Sequence, residues 1–288
     1  MTRLAKSRLV APSRLAQMLR VPEGEELDLS RMPTDITPGF RGGKTEGVAH
    51  TERLLPRLAA LQERLFAGGV RGSQQSLLLV LQGMDTSGKS GTVAHVLRTA
   101  SPLGVHYKSF KAPTPEERRH DFLWRIRKEL PGPGVIGVFD RSHYEDVVTT
   151  RVHNIVPPST WKRRFGTINT FEERLVESGT VVVKCFLHIS LDEQRRRLLA
   201  RLNDPTIRWK YSPQDLDERA LWPEYMRAYS EAIMRCSTAQ APWYVVPADR
   251  KWWRNLAISE LLIHALDGMN LSYPVPDFDV EREKARLA

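Results

Sequence analysis

The stretch Ser76-Leu77-Leu78-Leu79-Val80-Leu81-Gln82-Gly83-Met84-Asp85-Thr86-Ser87-Gly88-Lys89-Ser90 decides how the rest of the chain is read. Leu77–Leu81 is a short continuous apolar run, as expected of a strand buried on both faces. The residues after it, Gly83 to Ser90, match G-x-x-x-x-G-K-[ST] in full. Gly83 and Gly88 allow backbone N–H groups to converge on phosphate oxygens, and a following helix adds its positive end. Lys89 supplies a point charge to the bridging and terminal oxygens, and the Ser90 hydroxyl can reach a Mg²⁺ ion. A strand before and a helix after distinguish a phosphate loop from a chance match.

Outward from this loop, strands and helices alternate. Further strands are expected at Val105–Phe110, Val135–Phe139, Val181–Ile189 and Trp243–Val246. Helical stretches fall at Ser90–Thr99, Pro115–Leu130, Trp161–Glu177, Leu191–Leu202, Leu216–Cys236 and Trp252–Leu266. That alternation predicts an α/β fold with a parallel sheet and crossover helices on both faces. Upstream, Thr51–Phe66 carries leucines at helical spacing, and Pro22–Lys44 reads as an extended wrap. The expected organisation is a basic arm and wrap over 1–50, a phosphate-loop domain over 51–275 with a lid near 195–225, and a charged tail over 276–288 that frays over Glu281–Ala288.

Composition limits the function. The chain has 288 residues, 43 Lys+Arg against 34 Asp+Glu and a net charge of +9. With 41% apolar and 27% charged residues, it is not a mostly disordered chain. No apolar run approaches the roughly 20 residues a bilayer-spanning helix requires, so no membrane partner and a cytoplasmic location are expected. Cys185 and Cys236 lack metal-ligand spacing and read as buried reduced thiols. The first acidic residue is Glu23, and Arg3, Lys6, Arg8, Arg14 and Arg20 precede it. That arm superficially resembles a transit peptide, or it lies as a basic segment on the fold.

Asp85 is the informative oddity, because a carboxylate inside an anion-cradling loop repels phosphate unless something neutralises it. Either a cation sits between them or Asp85 turns out to solvent. A second acidic site follows the third strand, in Val138-Phe139-Asp140-Arg141-Ser142-His143-Tyr144-Glu145-Asp146. An apolar strand ending in Asp is the arrangement that holds Mg²⁺ beside a phosphate loop. In an open parallel sheet both carboxylates belong at the ligand-binding end. Arg141 is either a phosphate ligand or a salt-bridge partner, and His143 reads as structural.

Leu191 to Lys210 holds six basic residues, Arg195, Arg196, Arg197, Arg201, Arg208 and Lys210. They form either a solvated face or a cationic lid of the kind phosphoryl-transfer enzymes close over the reacting group. No aromatic stripe or DNA-reading motif accompanies them. The surplus charge therefore points to a phosphate polyanion rather than to nucleic acid.

Together these motifs resemble the polyphosphate kinase 2 family. Besides the loop, now extended through Gly91-Thr92, the matching pieces include Ser109-Phe110-Lys111-Ala112-Pro113, Asp121-Phe122-Leu123-Trp124-Arg125 and Phe139 to Asp146. Phe186-Leu187-His188-Ile189-Ser190, Arg201-Leu202-Asn203-Asp204-Pro205 with Trp209-Lys210, and Ala241-Pro242-Trp243-Tyr244 continue the match across Pro33 to Pro274. The resemblance implies a three-layer, thymidylate-kinase-like phosphate-loop fold with a helical lid, and Mg²⁺ or Mn²⁺ on Asp85 and Asp140. It implies Lys89 and Arg141 on the transferring phosphate, Arg201 and Lys210 as lid cations, and Lys108 and Lys111 along the polyphosphate path. Gly83, Thr86, Ser87, Gly88, Ser90, Gly91 and Thr92, with Arg197 and Arg208, complete the expected phosphate-binding set. Ser90, where members often carry a small or acidic residue, and Asp140, where similar branches carry Asn, depart from the pattern.

The expected activity is reversible, metal-assisted in-line phosphoryl transfer between inorganic polyphosphate and adenine or guanine nucleotides, with AMP or ADP becoming ADP or ATP. The expected state is a homo-oligomer, a dimer or tetramer. The rivals are an ATP-dependent nucleoside monophosphate kinase and a non-catalytic nucleotide-sensing or nucleic-acid-binding protein.

Overall fold

Each expected strand forms. In a computed structural model that describes residues 13–288, β1 (Ser76–Gln82), β2 (Val105–Ser109), β3 (Ile136–Asp140), β4 (Thr180–His188) and β5 (Trp243–Pro247) make one sheet. All pairs are parallel and the order is β2-β3-β1-β4-β5. In chain order the helices are α1 (Arg14–Leu19), α2 (Lys44–Val70), α3 (Lys89–Val96), α4 (Trp124–Arg127), α5 (Thr149–Val152) and α6 (Pro158–Glu177). They continue as α7 (Leu191–Asn203), α8 (Gln214–Ala220), α9 (Trp222–Cys236), α10 (Lys251–Gly268) and α11 (Val280–Leu287).

The continuous apolar run of β1 is explained by two cores. Leu77, Leu79 and Leu81 pack with leucines of α2 and α10 on one face, while Leu78 and Val80 pack with α6 and α9 on the other. Side chains alternate along a strand, so a strand covered on both sides must be apolar throughout. Burying each leucine contributes about 1.5–3 kcal/mol. These two layers of helices make the three-layer α/β/α architecture.

Several boundaries differ from expectation for local reasons. The helix expected over 51–66 runs from Lys44 to Val70, started by Gly43, whose N–H is accepted by the Glu46 side chain at 3.0 Å. The helix expected over 115–130 is replaced by a 3-10 turn at Glu117–Arg119 and the short α4. Asp121 separates them by accepting from the Leu123 N–H at 3.0 Å, a turn interaction that competes with helix. The helix expected over 216–236 is two, α8 and α9, broken at Leu221 with Pro223 in the first turn of the second, where its missing N–H costs nothing. The tail expected to fray forms α11, capped by Asp279 on the N–H groups of Glu281 and Arg282. Of the basic arm, Arg3, Lys6 and Arg8 lie outside the described residues. Arg14 opens α1, which buries Ala16 and Leu19, and Val21 N–H donates to the Trp243 carbonyl at 2.9 Å.

Candidate active site

The site forms where the chain changes direction across the sheet, at the carboxyl ends of β1 and β3, the place where open parallel sheets bind ligands. The Gly83–Gly88 loop leaves β1 and delivers Lys89 into the first turn of α3. Gly88 has φ +100°, and a Cβ there would stand 1.8 Å from the Arg254 guanidinium. Only glycine fits such a position. Thr86 also takes a positive φ of +67° without being glycine. Lys89 curls back to donate to the Gly83 carbonyl at 2.8 Å. Thr86 Oγ1 and Ser87 Oγ are buried and have no hydrogen-bond partner, which leaves two hydroxyls free for an anion in the loop.

Parallel register sets Leu81 of β1 beside Asp140 of β3. Asp140 Oδ2 accepts from Ser90 Oγ at 3.0 Å and from Tyr107 OH at 3.2 Å. Asp85 neither points to solvent nor faces the loop alone: its Oδ1 accepts from Arg141 Nη2 at 2.7 Å. Burial pushes the Asp85 carboxyl up, but Lys89 and Arg141 outweigh it and hold the group below its usual range. Burial and Arg141 lower the pKa of Lys89 against the pull of Asp140, Asp85 and Glu145. Arg141, at φ +64°, is thereby the salt-bridge partner of Asp85 in this state.

Asp85, Asp140 and the Ser90 hydroxyl are hard oxygen donors, suited to Mg²⁺. Among the described residues no cluster of three or more His, Cys, Asp and Glu side chains stands ready to hold a metal. Mg²⁺ is commonly bound by one or two carboxylates together with phosphates and water, a donor set that Asp85 and Asp140 would supply.

Asp85 and Arg141 line a cleft of about 710 Å³ that sequence reasoning only partly populated. Its far wall brings Arg118, Arg125 and Arg164 to the same space. The Arg125 guanidinium lies 5.6 Å from the Phe110 ring centre, and that of Arg164 lies 4.9 Å from that of Phe122, distances at which cations and aromatic faces attract. Arg125 and Arg164 also hold Asp146, by an ion pair at 3.3 Å and a bond to its carbonyl at 2.7 Å. Arg125 and Asp146 sit in the quoted motifs, whereas Arg164 lies inside α6 with no local signal. Beneath the turn His143–Asp146, Glu172 accepts from Lys184 Nζ at 2.5 Å and from Tyr144 OH at 2.9 Å, and bonds His143 at 3.1 Å, all fully buried.

The opposite wall carries Ser212, Gln214, Asp215 and Glu218, to which the end of α7 is tied through Arg201. Arg201 donates to the Lys210 carbonyl at 3.2 Å and pairs with Asp215 at 3.5 Å. Burial, then Asp85, raises the pKa of Asp215. Arg208 and Lys210 are exposed, the former bonded to the Leu202 carbonyl at 2.9 Å, the latter 5.1 Å from the Trp209 ring centre. Lys111 lines the cleft.

Three expected ligands stand elsewhere. Arg197 does not face the anion side: it is 7% exposed, and its donors are taken up by Glu193 and by the carbonyls of Thr86, Ser87, Ala248 and Asp249. Lys108, on the edge strand β2, pairs with Glu129 at 2.5 Å and does not line the cleft. The Thr92 hydroxyl bonds the Gly88 carbonyl of its own helix at 3.0 Å. Gly91 is exposed on the first turn of α3.

The sequence model described as polyphosphate kinase 2 matches residues 42–274. The chain is 43% identical over 263 residues to the AMP/ADP-polyphosphate phosphotransferase of Meiothermus ruber, covering 91% of this chain and 97% of that one. It is 40% identical over 274 residues to the ADP-polyphosphate phosphotransferase of Rhodopseudomonas palustris, covering 90% and 92%. The crystal structure of polyphosphate kinase 2 from Arthrobacter aurescens TC1 superposes with a TM-score of 0.92 at 50% identity, covering 96% and 98%.

Proposed function

This chain belongs to the polyphosphate kinase 2 family, and we propose that it moves phosphoryl groups reversibly between the end of inorganic polyphosphate and AMP or ADP. The observation that carries this reading is the convergence of Lys89, Asp85, Asp140 and Arg141 around the phosphate loop, with Asp85 and Arg141 lining the cleft and Arg201 paired with Asp215 of its opposite wall.

The acceptor is a phosphate oxygen that is already anionic, so in-line attack needs no general base. Catalysis then rests on positioning and on neutralising charge. The amides of the Gly83–Gly88 loop and Lys89 cradle the phosphates, and the free hydroxyls of Thr86 and Ser87 add donors. Arg141 turns from Asp85 to the transferring group, and Arg201 comes down from its pairing with Asp215. Asp85 and Asp140 would hold Mg²⁺ or Mn²⁺, whose chemistry there is to offset the charge of the phosphate oxygens. Arg118, Arg125 and Arg164, with Phe110 and Phe122, offer the nucleotide its charged and stacking surfaces.

In this reading residues 51–275 are the kinase domain and the segment near 195–225 its lid. Among the described residues no helix is long and apolar enough to cross a membrane. We place the enzyme in the cytoplasm, where nucleotides are, as a homo-oligomer. The test is a donor assay: purified protein with Mg²⁺, AMP or ADP, and either polyphosphate or ATP, with nucleotide products followed by chromatography. ADP or ATP is expected from polyphosphate. Transfer to AMP from ATP alone would assign an ATP-dependent kinase, and binding without transfer from either donor would assign a sensor.

A further inference from the structure

The carbonyl side of the loop is held from behind by side chains of distant elements. Gln194 Nε2 donates to the Asp85 carbonyl at 3.2 Å. Arg197 Nη1 donates to those of Thr86 and Ser87, each at 2.9 Å, and Arg254 Nη1 reaches Ser87 at 3.2 Å. Three consecutive carbonyls are thus held from behind by two guanidiniums and an amide. A loop that keeps Thr86 at a positive φ needs such over-determination.

Arg254 is the unusual member. It is 3% exposed, and its remaining bonds go to the neutral Asn255 side chain, Nη2 at 2.8 Å and Nε at 3.2 Å. Among the described residues no carboxylate stands within ion-pair distance of it. A buried charge without a counter-charge is costly and persists only where something compensates it. Burial and neighbouring Arg197 bring its pKa down to about 10, so it stays charged at neutral pH. Lys251, exposed at the start of α10, has its pKa lowered by partial burial and then by Arg197, Arg254, Arg196 and Arg201. Positive charge therefore accumulates directly beneath the loop.

We propose that Arg254, with Arg197, is a positioning residue for the transfer reaction: the two form a buried cationic backstop that turns the loop carbonyls inward, and the counter-charge that Arg254 lacks is the bound phosphate chain. The proposal rests on reading the loop as the polyphosphate site. Arg197 adds a second consequence. It stands four residues before Arg201 on α7, so the helix that clamps the loop also sets the root of the lid cation.

Calorimetric titration with tripolyphosphate at low and high ionic strength tests this on wild type, Arg254→Gln and Arg254→Lys, with circular dichroism as the fold control. Wild type is expected to bind with a salt-sensitive affinity, and absence of binding there would overturn the functional reading itself. Arg254→Gln keeps a donor for the Ser87 carbonyl but removes the charge. It is expected to lose about tenfold in affinity and part of the salt dependence. Arg254→Lys keeps the charge and is expected to stay within about threefold of wild type. Wild-type affinity and salt slope in a folded Arg254→Gln protein would overturn the backstop while leaving the site intact. Should that variant not fold, Arg254→Lys decides: retained affinity supports the charge, and a tenfold loss rejects it.

Discussion

The Gly83–Gly88 loop and the proposed lid, the end of α7 with α8, reach the same cleft through Asp85 and Asp215, and they are built differently. In the loop, Lys89 is buried, the carbonyls are clamped from behind, and Asp85 is held ionised by cations beside it. In the lid, Arg208 and Lys210 are exposed, no residue of α8 is buried, and Arg201 is held by one carbonyl and a 3.5 Å ion pair. The loop is organised before substrate arrives, as electrostatic stabilisation requires. The proposed lid is held by interactions weak enough to exchange, as a closing segment requires.

The strongest way to break that contrast is at Lys89. Lys89→Ala is expected to reduce kcat by about a thousandfold or more without unfolding the protein, measured by polyphosphate-driven ADP formation alongside circular dichroism. Near-normal turnover would remove the loop from the chemistry. Asp85→Asn is expected to follow at a comparable or somewhat smaller loss, because it deletes a proposed metal ligand and the partner of Arg141. Its dependence on Mg²⁺ concentration should shift upward in the same assay.

Arg201→Ala is expected to cost about 2–4 kcal/mol of transition-state stabilisation, with little change in thermal midpoint because its ion pair with Asp215 is long, at 3.5 Å, and such pairs near the surface contribute about 0–1 kcal/mol. A variant that loses stability while keeping kcat would make Arg201 part of a solvated face. Rates with long polyphosphate are expected to fall as salt rises, through screening of the exposed lid cations more than of the buried loop. Salt-independent rates would erase the distinction.

The smallest effect is the most discriminating. The loop and lid aspartates shift in opposite directions. Asp85 is depressed despite burial, so its ion pair contributes stability that persists at neutral pH and is lost as pH falls through its lowered pKa. Asp215 is raised by burial and by Asp85, so its ionisation costs stability, and that cost disappears as pH falls through its raised pKa. On acidification Asp215 should therefore protonate first, releasing Arg201 while Asp85 still holds Arg141. Carboxyl-carbon NMR titration reads this order, and the reverse order would contradict the contrast. Asp215→Asn is expected to lower KM for polyphosphate by about two- to threefold by freeing Arg201.

Much of this was legible in the linear chain. The strand Leu77–Leu81, the loop and α3 are adjacent in sequence, so their chemistry is local, and Asp140 follows its own apolar strand. Pro115–Leu130 misled because its helical spacing of apolar residues coexists with the Asp121 turn, and a side-chain bond to one N–H is enough to end a helix. Arg164 was invisible because nothing near it in the sequence distinguishes it from any charged residue on an amphipathic helix.

The sequence by itself determined the α/β order, the phosphate-type loop and the two carboxylates beside it, because strand periodicity and loop spacing are short-range properties. Only the tertiary structure decided the fate of the arginines. Arg197 and Arg201 share a face of α7 by spacing, yet Arg197 enters the space between the loop and the residues after β5, while Arg201 pairs with Asp215 of the cleft wall. A guanidinium has the same charge in either place. Whether it binds carbonyls from behind or phosphate from in front depends on which distant elements pack against it, and here β5 and α10 settle that.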